Sequence, residues 1–108
     1  MALEQQIKDI WPAALGKARF SHAEETESIP FTILHLINSK KIHKDGGWKN
    51  TFVADCFSRT IDIDAVRTAI ESISIQDAAI VINNMETDYD PDRKCHITAV
   101  EFQITSNN

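Results

Sequence analysis

Residues 51–73 (TFVADCFSRTIDIDAVRTAIESI) constrain the fold more than any other stretch, because two periodicities meet there without a linker. Up to residue 57 the chain alternates: Phe52, Ala54 and Cys56 fall on one side, and Val53, Asp55 and Phe57 on the other. That is the period of a strand. From Ile63 the period becomes helical, with Ile63, Val66, Ile70 and Ile73 in one stripe to be buried. Ala65 and Ala69 flank that stripe and are small enough to let the helix approach a sheet. Thr60 and Asp62 are both competent N-caps, and Asp62 and Asp64 suit the positive end of the helix dipole. Arg67 and Glu71, four apart, are expected to pair on the solvent side. Asp55 is the odd residue of the unit. A charge among apolar neighbours implies either a sheet edge or a face that only a partner covers.

The flanking segments extend this unit into one domain spanning residues 1–108, a length that buries a real core. Leu3, Ile7, Ile10 and Trp11 form a helical stripe that ends at Pro12, with a further turn at residues 13–15 stopped by Gly16. Residues 19–28 are polar and acid-rich. Pro30 then leads into residues 31–37 (FTILHLI), read as a strand buried largely on both faces, with His35 as a hydrogen-bonded core or interface residue. Residues 38–50 (NSKKIHKDGGWKN) read as a loop with strong turn chemistry at Asp45, Gly46 and Gly47. Lys40, Lys41, Lys44 and Lys49, with Trp48, make residues 39–50 a flexible basic arm between strands. It is either a solvated hairpin or a contact to a neighbouring subunit or nucleic acid. Residues 78–89 begin as a buried strand and turn polar. A type I turn around Pro91 follows, and then residues 94–105 alternate, with Val100, Phe102 and Ile104 inward and Glu101 and Gln103 outward. The last two strands form an antiparallel hairpin. The order α-β-β-α-β-β gives an α+β fold, a mainly antiparallel sheet of four or five strands packed with two helices.

Chemistry is sparse. The net charge of −5 argues against a protein devoted to coating nucleic acid. The start of the chain carries no secretory pattern, and no apolar run approaches the ~20 residues of a membrane span. Cys56 and Cys95 are expected as buried free thiols in a reducing compartment. His22, His35, His43, His96, Cys56 and Cys95 are metal ligands by type, but none stand at ligand spacing, and Cys95 and His96 point to opposite faces of one strand. The carboxylates Glu24, Glu25 and Glu27, and Asp88, Asp90 and Asp92, fall in loop or turn sequence and read as solvated groups rather than a general acid/base pair or a calcium loop. No phosphate-binding glycine pattern or nucleophile elbow is present. The expectation is a protein without catalysis, metal or cofactor.

Four places in the chain carry a likeness: the helical start Met1-Ala2-Leu3-Glu4, the lead-in Ile29-Pro30-Phe31, the strand Val53-Ala54-Asp55-Cys56-Phe57 running into Ala65-Val66-Arg67-Thr68-Ala69-Ile70, and the turn Asp88-Tyr89-Asp90-Pro91-Asp92 before a last strand with Phe102 near its end. In this order the chain resembles the tail-completion, or tail-terminator, family of long-tailed bacteriophages. The resemblance implies a subunit that assembles into a ring, usually hexameric, at the head-proximal end of the tail tube. Such a ring stops tube growth, meets the head connector and lets DNA pass through its bore. Its place would be the virion tail, with assembly in the host cytoplasm. On that expectation Lys40, Lys41, Lys44, Trp48, Lys49, Asp55 and Phe57 are candidates for contacts to a neighbouring ring, to another subunit or to DNA in transit. Two alternatives stand beside it: a head-completion protein of the same joint, and a small cytoplasmic α+β ligand-binding or regulatory domain, dimeric through its sheet.

Overall fold

Strand alternation and helical stripes resolve into one layer of sheet and one of helix. The computed structural model describes residues 3–20, 29–43, 46–60 and 63–106. Helix α1 (Leu3–Asp9) and a 3-10 turn (Ala13–Leu15) precede strand β1 (Lys17–Phe20). Strands β2 (Phe31–His43) and β3 (Gly46–Ser58), helix α2 (Ile63–Glu71), and strands β4 (Ala78–Asp90) and β5 (Cys95–Ser106) follow. The five strands make a single sheet in the order β1-β2-β3-β5-β4. β1 runs parallel to β2, and every other pairing is antiparallel. The fold is α+β, and the sheet is mixed.

Among the described residues the helices cover one face only. Leu34, Phe52, Ala54, Val100, Phe102 and Ile104 are fully buried against Ile7, Trp11, Leu15, Val66 and Ile70. Phe102 stacks on Phe52 with ring centroids 5.5 Å apart and meets Trp11 at 6.1 Å. Each large apolar side chain sequestered in this way contributes about 1.5–3 kcal/mol relative to exposure. A buried polar joint fixes the register of the α1 end on the sheet. Trp11 Nε1–H donates to Thr32 Oγ1 (3.0 Å), and the Thr32 hydroxyl donates to the Leu15 carbonyl (2.9 Å). Gly16, at φ +80°, closes the turn beside Pro30 with no room for a side chain.

Several expectations change at this level. The polar stretch after Gly16 contains a strand, β1, whose pairing with β2 is nonlocal and leaves no period in a segment so short. Residues 38–50 are mostly ladder, not loop: Asn38 pairs with Thr51, Ser39 with Asn50, Lys40 with Lys49 and Lys41 with Trp48. Backbone pairing needs no apolar side chains, so a lysine-rich hairpin extends two strands that polarity alone would end. The second half of β2 is not buried on both faces: Leu36 and Ile37, past the last rung at Leu34 that the described part of β1 shares, are exposed. β4 is an edge strand, so its start is only half-buried. Ile63 is exposed at the first turn of α2, and Arg67 pairs with Asp64 at 3.3 Å rather than with Glu71. Asp62, His22 and the carboxylates of residues 24–27 lie outside the described residues. Among the described residues no helix is long and apolar enough to cross a membrane.

Candidate interaction surface

The sheet face opposite the helices is where the remaining polar oddities collect. Alternation along β2, β3, β5 and β4 lays them out in rungs: Ile33, Asp55, Ala99 and Glu86; His35, Val53, Glu101 and Asn84; Lys40, Lys49, Thr105 and Ala79. Asp55 is therefore not at an edge. It lies in the middle of the central strand, on the open face, with its side chain 31% exposed. His35 Nε2 stands 3.5 Å from Asp55 Oδ2, diagonally across the rung, and becomes a charged pair when His35 is protonated. A shallow depression of about 330 Å³ over Asp55 has Glu86 and Asp88 on its rim.

At one end this open face closes on itself. Phe31 and Phe57 stack at 4.4 Å and, with Cys95, form a second small core. The Arg93 guanidinium lies 5.7 Å and 5.4 Å from their ring centroids, a cation–π cap. Arg93 is held in turn by Asp90 at 3.4 Å. Burial pulls the Asp90 carboxyl upward, but the Arg93 and Asp92 amides and the Arg93 guanidinium outweigh it, and its pKa falls below the ordinary value. Phe57, one of the candidates for contact with a neighbour, is thus covered within its own chain.

The other end is the projecting β2–β3 hairpin, and the sequence candidates divide between its faces. Lys40 and Lys49 lie directly opposite each other on the open face. Lys41 and Trp48 pair on the other face, where Trp48 is 40% exposed beyond the reach of the helices. Lys44 lies outside the described residues. Two features were not foreseen in the sequence: the Arg93 cap, which depends on a turn meeting a distant strand pair, and the long edge of β4, which has no strand beside it among the described residues.

The thiols are poor nucleophiles. Burial pushes Cys56 up to about 12, with a Thr32 hydrogen bond opposing and the Asp55 charge adding to the shift. Burial likewise raises Cys95. Among the described residues no three His, Cys, Asp or Glu side chains come together as a metal site. A recess between the 3-10 turn and α2 holds about 200 Å³, below the about 300–1,000 Å³ of small-molecule sites. What the open face and its two flanks offer is area, hydrogen-bonding edges and charge. No protein-family model matches the chain, and no curated protein matches it.

Proposed function

We propose that this chain is a virion structural protein, a tail terminator that forms a ring, usually of six copies, at the head-proximal end of a phage tail tube. The observation that carries the reading is a sheet with a finished core on one face and, among the described residues, an open face and two free edges on the other sides. A subunit built for assembly keeps such surfaces for its neighbours. The order of elements agrees with that expected from the resemblance, with β1 added. In this reading the ring meets the tube protein on one side and the head connector on the other. Asp55 faces a subunit boundary or the bore through which DNA passes. The site of action is the virion tail, reached after assembly in the host cytoplasm, and the mechanism is shape and interface complementarity alone.

The experiment is tube capping. Major tail tube protein polymerised with increasing amounts of this chain is expected to give shorter tubes, each carrying a ring at one end in negative stain. Unchanged tube lengths with bare ends would overturn the proposal. Binding to connector rings but not to tubes would move the chain to the head side of the joint.

A further inference from the structure

The two sheet edges left without a strand neighbour among the described residues carry opposite charge. On β2 the outer edge beyond Leu34 has no neighbour among the described residues, since β1 pairs only as far as Leu34. Residues 36–42 of that edge (LINSKKI) hold Lys40 and Lys41 and no acid, and Lys49 faces Lys40 across the hairpin. Like charges directly opposite on one face repel, and an anionic neighbour relieves them. At the other side of the sheet β4 pairs, among the described residues, only with β5. Residues 84–90 of β4 (NMETDYD) hold three acids and no base. Asp90 is engaged by Arg93, which leaves Glu86 and Asp88, both exposed, on the same open face as Lys40 and Lys49.

We infer that the β2 edge at residues 36–42 of one copy pairs with the β4 edge at residues 84–90 of a second copy, Lys40 and Lys49 meeting Glu86 and Asp88; the inference rests on the ring reading above. Hairpin against hairpin sets lysine against lysine, and β4 against β4 sets acid against acid. Both two-fold pairings are therefore disfavoured, and the head-to-tail contact remains, which makes rings when the rotation between copies closes and open filaments when it does not. Edge lysines ordinarily blunt strand association. Here they select which edge is accepted.

Direction and register follow from the topology. β2 and β4 run in opposite senses within the sheet, so copies sharing one orientation about a ring axis bring these edges together antiparallel. β1 occupies the part of β2 level with Asp88, so the contact is staggered along the strands, as closing a sheet requires. The register that fills the free edge and keeps faces matched opposes Asn38 to Asp88 and Ile42 to Asn84. Lys40 then lies against Glu86, and Ile37 (54% exposed) against Tyr89 (50% exposed).

The test is cross-linking between variants that each carry one added cysteine, with the buried Cys56 and Cys95 as a silent background. Lys40→Cys and Glu86→Cys proteins, mixed and oxidised over a concentration series, are expected to give a covalent dimer absent from either variant alone. A dimer from one variant alone means two-fold pairing and overturns the inference; so does a mixture that stays uncross-linked. Lys40→Glu should raise the concentration needed for assembly about tenfold, and adding Glu86→Lys should restore it. Light scattering on the same samples separates the two levels. Rings without the cross-link defeat the edge pairing and leave the ring reading intact, whereas a stable two-fold dimer at every concentration defeats both.

Discussion

Replacing Thr32 by Val removes one oxygen from the fully buried joint between α1, the 3-10 turn and β2, and leaves the shape of the side chain almost unchanged. That oxygen accepts from Trp11 Nε1 at 3.0 Å, and its proton goes to the Leu15 carbonyl at 2.9 Å. Both partners stay buried in the variant, Trp11 and Leu15 being 8% and 7% exposed. A buried polar group without a partner costs about 1–3 kcal/mol, and the added methyl recovers only part of two such penalties. The expected loss is about 2–4 kcal/mol in urea unfolding at unchanged m. Thr32→Ser keeps the hydroxyl and should lose only about 1 kcal/mol. A double-mutant cycle with Trp11→Phe, which deletes the donor, should show that Thr32→Val costs about 1 kcal/mol less in that background. A Thr32→Val protein within about 0.5 kcal/mol of the parent, or a cycle with no coupling, would refute the claim that this joint anchors the N-terminal elements.

Three further perturbations test other parts of the fold. Gly16→Ala places a Cβ against the Pro30 carbonyl at a positive φ, and is expected to cost more than about 3 kcal/mol; a melting temperature within a few degrees of the parent would contradict the close approach. Cys56, with its thiol pushed up to about 12, and Cys95, raised in the same direction, should resist maleimide at pH 8 in the native protein and react on unfolding; rapid native labelling would show that the cores open. The Asp90 pKa is lowered in the folded chain, so its contribution is present above the ordinary carboxylate pKa and lost as pH falls through the lowered one. Asp90→Asn should therefore be less stable at neutral pH and show a shallower acid limb, and superimposable pH–stability curves would remove Asp90 from the account.

The covered face of the sheet was legible in the sequence because burial there follows from side-chain period. The alternation of Phe52, Ala54 and Cys56, and of Val100, Phe102 and Ile104, predicts one buried face, and all six are buried on it. Val66 and Ile70 are buried as the helical stripe predicts, while Ile63, one turn earlier, stays exposed. β1 was not legible, since four residues paired in parallel with a segment 14 positions away carry no local signal. The hairpin misled for the opposite reason: its lysines and glycines are loop composition, yet its backbone groups pair rung by rung. Of the candidate surface, the charge of the hairpin and the singularity of Asp55 could be read from residue types. The position of Asp55 on a central strand, the sealing of Phe57 beneath Arg93, and the sharing of one face by Lys40, Lys49, Glu86 and Asp88 depend on strand order, which residue types do not encode.

The mass of the purified chain in solution, measured by light scattering across a concentration series and imaged in negative stain, tests the central claim most directly. A head-to-tail ring-forming subunit is expected to populate closed rings of one size as concentration rises, without a dominant two-fold dimer. A stable dimer at all concentrations, with no rings in the images, would contradict it and favour a small dimeric binding domain instead.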